Sequence, residues 1–224
     1  MITVHHLNNS RSQRVLWLLE ELGIPYEIKK YQRDAKTMLA PPELQKVHPL
    51  GKSPVITDDG TTVAESGLIL EYLIERHGNG RLMPAAGSPE HLRARYWLHF
   101  AEGSAMPPLL LKLIFERIKV TPMPFFAKPI ARGISNKVLA AMVEPNLERQ
   151  LDFMEAELGR SEWFAGAEFS AADIMMSFPV EAAAQRAGLD ASRPKLMAFL
   201  KRIHARPAYK KALERGGPYS FAND

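Results

Sequence analysis

Residues 54–64 read PVITDDGTTVA, and this stretch decides the fold of the first half of the chain. Two runs rich in β-branched residues, Val55 to Thr57 and Thr61 to Ala64, flank the turn residues Asp58-Asp59-Gly60. An Asp-Gly pair between two such runs is a strong short-range signal for an antiparallel hairpin. The stretch therefore predicts two adjacent, paired strands.

Strand and helix signals alternate on both sides of this hairpin. Upstream, a strand is predicted at residues 2–7, a helix at 15–22 and a second strand at 26–31. A short helix is predicted after them, at 43–46. The helix is predicted because its apolar residues recur with the spacing of an amphipathic helix. Downstream, Ser66 to His77 is a predicted helix that ends at Gly78-Asn79-Gly80. The order β-α-β-(α)-β-β-α is typical of an α/β layered domain.

Helix signals dominate the chain after residue 80. Ser88-Pro89 is a predicted helix start, because serine caps a helix N-terminus and proline suits the first helical position. We expect this helix to break or kink at Pro107-Pro108. Further helices are predicted near residues 135–158, 171–187, 194–205 and 208–214. The chain is thus expected to contain an α/β domain (1–80), a linker (81–88) and an all-helical domain (89–224).

The composition excludes several classes of protein. The 224 residues include no cysteine, which excludes a disulfide scaffold, a cysteine-ligated metal site and a cysteine nucleophile. The formal net charge of +4 comes from basic residues that are scattered among acids, so we expect no nucleic-acid binding. We also expect no membrane association and a cytoplasmic location, because a run of about 20 apolar residues and a secretory signal pattern are both missing.

Three short motifs, taken in order, carry a family resemblance. The first is HLNNSRSQR at residues 6–14, followed by WLLEEL at 17–22; the second is HPLGKSPV at 48–55; the third is AESG at 64–67. With these motifs ahead of an all-helical second half, the chain resembles a cytosolic glutathione transferase of the serine type, bacterial or fungal-like. The resemblance covers nearly the whole chain. It implies a thioredoxin-like domain that binds glutathione and an all-α domain that supplies a pocket for an electrophile.

Ser10 has two interpretations, which the sequence leaves open. Ser10 and Gln13 match a capping box, in which the serine oxygen accepts a hydrogen bond from the start of a helix. The resemblance implies instead that the Ser10 hydroxyl donates to the sulfur of glutathione. A free thiol has a pKa of about 8.5, so a donor of this kind is needed to favour the thiolate at neutral pH. Asn9, Arg11 and Ser12 are the alternative donors.

The other two motifs imply contacts with the peptide part of glutathione. In the family, the proline at the position of Pro54 is cis, and the backbone of the preceding residue, here Ser53, pairs with glutathione like an added strand. Lys52 is expected to offer a cation to a carboxylate, or else to be a solvated surface lysine. Glu65 is expected to face the amino group. Ser66, at a helix N-terminus, is expected to bind the γ-glutamyl carboxylate, with simple capping as its structural alternative.

Two features of the second half concern its packing and its pocket. Ser170 and Asp173 form a second capping-box pattern, which we interpret as structural. The resemblance implies that one helix carries the electrophile pocket and the contacts with a partner subunit. On that helix we expect Tyr96, Phe100 and Met106 to line the pocket, with core packing as their alternative, and Glu102 and Ser104 to reach the partner's glutathione.

The resemblance implies an enzyme that activates the thiol of glutathione for attack on apolar electrophiles, as in detoxification. Glutathione is then a co-substrate, the protein is a homodimer, and neither a metal nor a bound organic cofactor is expected. Glutathione-dependent peroxidase or isomerase activity at the same site is one alternative. Non-catalytic binding of hydrophobic ligands is another, although the complete set of Ser10, Ser53-Pro54 and Glu65-Ser66 favours an enzyme.

Overall fold

A computed structural model describes residues 1–222, and all strands in this range belong to one sheet. The strands are β1 (Ile2–Leu7), β2 (Tyr26–Tyr31), β3 (Val55–Asp58) and β4 (Thr61–Ala64), in the spatial order β2-β1-β3-β4. β1 and β2 are parallel, whereas β3 runs antiparallel to both β1 and β4. At the tip of the predicted hairpin, Asp59 and Gly60 both have positive φ (44° and 84°), as a type I′ turn requires.

Two helices accompany the sheet, α1 (Ser12–Leu22) and α2 (Ser66–Arg76). The predicted apolar stripe of α1 is buried in the core, and the helix ends where Gly23 adopts the left-handed conformation (φ 65°). A 3-10 turn (Pro42–Lys46) precedes the segment that carries the second motif. The predicted α/β order of the first part of the chain is therefore confirmed.

Helices account for the regular structure between residue 66 and the end of the described range. They are α2, α3 (Pro89–Phe100), α4 (Met106–Val120), α5 (Ala127–Val138), α6 (Glu144–Arg160), α7 (Ala171–Arg186), α8 (Pro194–Ala205), α9 (Pro207–Gly216) and a final 3-10 turn (Ser220–Ala222). Strands described by the structure thus lie before residue 65, as predicted. The domain limits at residues 80 and 89 stay a prediction, and residues 223–224 of the predicted helical domain lie outside the described residues.

Of the two outcomes predicted at Pro107-Pro108, a break or a kink, the break is wrong and the kink stays a prediction. α3 continues through a π-helical turn (Ala101–Ala105) into α4, so that Pro107 and Pro108 lie in the first turn of α4. A π turn changes the register of the backbone hydrogen bonds, and proline's missing N–H is tolerated where that register changes. The helix therefore continues, and the π turn carries Glu102 and Ser104.

The second capping box forms as predicted at the start of α7, the most deeply buried helix. Ser170 Oγ accepts a hydrogen bond from Ala172 N–H (3.3 Å), and Asp173 Oδ2 accepts one from Ser170 N–H (2.9 Å). Asp173 Oδ1 also accepts from Phe164 N–H (2.9 Å). The cap therefore fixes both the helix start and the loop that precedes it.

Candidate active site

The second and third motifs meet in one cavity of about 310 Å³. The five residues expected to contact the peptide part of glutathione all line this cavity: Lys52, Ser53, Pro54, Glu65 and Ser66. They come from the loop before β3 and from the junction between β4 and α2. The β3–β4 hairpin brings the two segments together, because Val55, the first residue of β3, pairs with Ala64, the last residue of β4.

The peptide bond between Ser53 and Pro54 is cis. The Ser53 side chain ties this bend to β1, since Ser53 Oγ donates to His5 O (2.8 Å) and accepts from Leu7 N–H (3.3 Å). Two hydrogen bonds of the serine side chain therefore hold the bend against the central strand.

Glu65 and Ser66 turn the chain from β4 into α2. Glu65 has φ 72° and ψ 123°, a left-handed backbone that a non-glycine residue adopts at a cost of about 1–3 kcal/mol. Ser66 is the first residue of α2, and its Oγ accepts a hydrogen bond from Arg14 Nη2 (3.0 Å). The hydroxyl proton of Ser66 and the free N–H groups of the first helical turn are therefore available to an anion.

Arg14 is a residue of this site whose role sequence analysis missed. Its buried guanidinium donates to Ser66 Oγ, to Met175 O (2.8 Å) and to the carboxylate of Glu102. Glu102 also pairs with Arg11 Nε (2.9 Å). One carboxylate thus pairs with two guanidinium groups from the first motif. The motif's spacing alone gives no sign of a partner 88 residues away.

The ionisation of Glu102 depends on these two partners. Burial alone would raise the pKa of this carboxyl group, but the guanidinium groups of Arg14 and Arg11 together hold its pKa below the ordinary value. Glu102 is consequently a carboxylate at neutral pH, and it lines the same cavity as Lys52 and Ser66. Its predicted contact with a partner's glutathione stays a prediction.

Ser10 is not among the residues that line this cavity. It is buried, its Oγ accepts from Ser12 N–H (3.2 Å), and the Oγ atoms of Ser10 and Ser12 are 2.7 Å apart. The capping box with Gln13 is not formed, because the amide group of Gln13 has no hydrogen-bond partner among the described residues. Arg11, the residue after Ser10, does line the cavity.

The other two alternative donors are engaged elsewhere. Asn9 Oδ1 accepts hydrogen bonds from the N–H (2.8 Å) and hydroxyl (3.0 Å) of Ser220, so Asn9 holds the C-terminal segment. Ser12 is fully buried under Ser10. Of the four candidates near the start of α1, Arg11 is the one that lines the cavity, and Ser10 is its neighbour in sequence.

The structure places the three predicted pocket residues away from this cavity. Tyr96 stacks on Phe100 (ring centroids 5.7 Å apart), and both pack against Phe153 of α6. Met106 is buried in the core. Leu110, one turn further along α4, is the apolar residue of this helix that lines the cavity. The carbonyl of Ser104 accepts from Gln150 Nε2 (2.9 Å), which ties the π turn to α6.

The range of residues 1–222 contains no group of three or more histidine, aspartate or glutamate side chains that could bind a metal ion. Its helices are all too short or too polar to cross a bilayer.

Comparisons with known proteins agree with this geometry. The family model of the glutathione S-transferase N-terminal domain matches residues 10–76. The family model of the glutathione S-transferase C-terminal domain matches residues 117–207. Glutathione S-transferase 3 of Schizosaccharomyces pombe is 38% identical, over 96% of this chain and 88% of its own. Glutathione S-transferase 1 of Saccharomyces cerevisiae is 34% identical, over 96% and 95%.

Solved structures give the same assignment. A glutathione S-transferase from Actinobacillus pleuropneumoniae superposes with a TM-score of 0.80 at 29% identity, covering 100% of this chain and 97% of that one. A sphingomonad glutathione S-transferase complexed with glutathione has a TM-score of 0.71 at 25% identity, covering 96% and 98%. Fold and site define a thioredoxin-like domain joined to a helical domain. The chain belongs to the glutathione S-transferase family of enzymes.

Proposed function

We propose that this protein binds glutathione in the 310 Å³ cavity and transfers it to apolar electrophiles. One observation carries the proposal: Lys52, Ser53, Pro54, Glu65 and Ser66, which come from two separate motifs, line a single cavity. A similar structure that contains glutathione, from a sphingomonad, supports the choice of co-substrate.

The charges around the cavity complement those of glutathione, which carries two carboxylates and one ammonium group. Ser66 and the start of α2 receive the γ-glutamyl carboxylate, because the helix N-terminus offers free N–H groups. Glu65 faces the ammonium group, and Lys52 is the cation for the second carboxylate. The backbone of Ser53 pairs with the cysteinyl residue, a contact that tolerates serine since it does not involve the side chain.

Thiol activation takes place at the start of α1. Ser10 donates its hydroxyl proton in a hydrogen bond to the sulfur, and the guanidinium of Arg11 lies on the cavity wall beside it. Both groups favour the thiolate over the thiol, so they lower the pKa of bound glutathione. The thiol proton passes to solvent. The thiolate then forms a carbon–sulfur bond, and the leaving group departs with the electrons of its former bond.

The electrophile approaches from the apolar side of the cavity, where Leu50 and Leu110 lie. Both side chains are exposed, and Leu110 belongs to a face of α4 that also exposes Leu113 and Ile114. An apolar surface next to the sulfur suits a carbon electrophile with a hydrophobic body. The role of Tyr96, Phe100 and Met106 in an electrophile pocket stays a prediction beside this proposal.

The pKa of bound glutathione tests this mechanism. Thiolate absorbance titrated against pH is expected to give a pKa well below 8.5 for the wild-type complex, with a higher value for Ser10→Ala. Turnover with aryl halides should fall about 10- to 100-fold in that variant, because a hydrogen bond to a charged group contributes about 1.5–3 kcal/mol. Glutathione affinity should change little.

The matched control is Ser135→Ala, which removes a buried hydroxyl that has no hydrogen-bond partner among the described residues. It should leave both the thiol pKa and turnover unchanged. A large effect of Arg11→Gln with none of Ser10→Ala would make Arg11 the activating residue. An ordinary thiol pKa in the wild-type complex would contradict the mechanism, and turnover of hydroperoxides alone would favour the peroxidase alternative.

The proposal includes a homodimer in the cytoplasm. Most soluble oligomers are closed two-fold pairs, and α2 and α3 expose Leu68 and Leu92, apolar side chains that a second subunit would cover. Light scattering at micromolar concentration should give about twice the 25.1 kDa mass of the chain. A monomer under those conditions would reject the dimer, and with it the predicted contacts of Glu102 and Ser104.

A further inference from the structure

A chain of buried hydroxyl groups leads from Ser10 away from the cavity to His6. Ser10 Oγ and Ser12 Oγ are 2.7 Å apart, and Ser12 Oγ lies 2.9 Å from His6 Nδ1. All three side chains are buried. The hydroxyl proposed as the donor to glutathione is therefore one end of a hydrogen-bonded chain whose other end is an imidazole on β1.

A chain of this kind has a direction, because each hydroxyl has a single proton to donate. If His6 carries its proton on Nδ1, the ring donates to Ser12. Ser12 has two acceptors within reach, Ser10 Oγ (2.7 Å) and Leu7 O (3.4 Å), and when it donates to the nearer one the Ser10 proton is free for the cavity. If His6 carries it on Nε2, Ser12 donates to the ring and Ser10 donates to Ser12. The Ser10 proton is then engaged in a hydrogen bond within the protein and is not available to a ligand in the cavity. The two states differ in proton positions alone.

The surroundings of the His6 ring favour the direction that frees the Ser10 proton. Burial, with a smaller contribution from Lys30, lowers the pKa of His6 to about 4, so the ring is neutral at neutral pH and has one proton. Within residues 1–222, the hydrogen-bond partner of the ring is Ser12, which faces Nδ1. In the same range Nε2 makes no hydrogen bond to the protein. A proton on Nδ1 therefore has an acceptor in the protein.

We propose that His6 and Ser12 are positioning residues that hold the Ser10 hydroxyl as a donor toward the sulfur of glutathione. The inference rests on the proposed role of Ser10. Ser10 Oγ then accepts from both the hydroxyl and the N–H of Ser12, so its own proton is not used within this chain of hydrogen bonds. A thiolate in the cavity strengthens this direction, because consecutive hydrogen bonds polarise one another.

The tautomer of His6 tests the direction in the unmodified protein. Nitrogen-15 NMR of histidine-labelled protein distinguishes a proton on Nδ1 from one on Nε2, and the loss of signals in His6→Phe assigns the resonances. With glutathione bound, we expect the Nδ1–H form. The Nε2–H form in that complex would overturn the proposal, even if every Ser12 variant failed to fold.

Ser12→Ala tests the consequence for chemistry. Ser10 keeps the N–H of residue 12 but loses the hydroxyl that orients it, so we expect the thiol pKa of bound glutathione to rise by about half a unit and kcat to fall about threefold, with KM for glutathione nearly unchanged. Ser135→Ala is again the control for loss of a buried hydroxyl.

The outcomes separate this inference from the proposed function. An ordinary thiol pKa in the wild-type complex would end both. A lowered wild-type pKa that rises in Ser10→Ala and stays unchanged in Ser12→Ala would keep Ser10 as the donor and reject the positioning role of Ser12 and His6.

Discussion

Replacing Glu102 by glutamine tests how far the ion pair around Arg14 stabilises the protein. Glutamine keeps the shape of the side chain and one acceptor oxygen but removes the charge. Arg14 then retains Met175 O and Ser66 Oγ as partners, both of them neutral. Its side chain is 1% exposed, so the guanidinium would be a buried cation without a counterion.

The expected loss follows from the exposure of the two partners. Removing one member of a fully buried pair costs about 3–5 kcal/mol, whereas exposed pairs contribute about 0–1 kcal/mol. Arg14 belongs to the first class, but the side chain of Glu102 is 32% exposed, so water screens it in part. We therefore expect Glu102→Gln to lower the free energy of unfolding by about 2–3 kcal/mol, or Tm by about 5–10 °C for a chain of this size.

Thermal and urea unfolding at one protein concentration measure this loss. The matched control is Glu116→Gln, which removes the charge of a partly exposed pair with Lys119 on α4 and should cost about 1 kcal/mol or less. The pKa of Glu102 is lowered in the folded protein, so its contribution is present above its unfolded pKa and is lost as the pH falls through the folded value. An equal loss of unfolding free energy in Glu102→Gln and Glu116→Gln would refute the reasoning. A difference in stability between wild type and Glu102→Gln that does not become smaller as the pH falls would refute it too.

Further predictions concern glycines and the second capping box. Gly159→Ala in α6 meets open space and should stabilise the protein by about 0.5–1 kcal/mol, whereas Gly216→Ala in α9 places a methyl group 3.0 Å from Leu16 Cδ1 and should destabilise it by about 1 kcal/mol. Urea midpoints that move in the same direction would contradict this contrast. Ser170→Ala removes the cap of α7 and should cost about 1–2 kcal/mol in the same assay. Burial raises the pKa of Asp173 to about 6, so its stabilising contribution is complete below its unfolded pKa and is lost as the pH rises through 6. Relative to Asp173→Asn, the wild type should therefore gain about 1 kcal/mol between pH 7 and pH 5, and a constant difference would reject the raised pKa.

Local rules predicted the features that depend on neighbours in sequence. The Asp59-Gly60 turn and the capping box at Ser170 both form, because the residues that stabilise them lie within four positions of one another. The same rules failed where tertiary packing decides. Gln13 turns inward instead of completing a capping box, and Pro107 continues a helix since a π turn precedes it.

The same distinction between local and distant contacts decides which parts of the candidate site could be predicted. Lys52, Ser53 and Pro54 form one contiguous segment, so their shared place in a cavity could be anticipated from the motif and the family resemblance. The contacts of Arg14 could not, because its partners lie 52, 88 and 161 residues away. No periodicity or spacing in a single sequence marks such a pair. A buried arginine needs hydrogen-bonding partners, but only the packed structure shows which residues they are.

These distant contacts make the first motif dependent on the second half of the chain. The guanidinium of Arg14 joins Ser66 at the start of α2 to Glu102 on the π turn and to Met175 O on α7. The orientation of the Ser66 hydroxyl, and with it the proposed carboxylate site, is therefore fixed by residues outside the α/β part of the chain. Lysine could not replace this arginine, because a single ammonium group on a flexible stem does not match three partners that a planar guanidinium reaches together. The helical part thus shapes the proposed glutathione site.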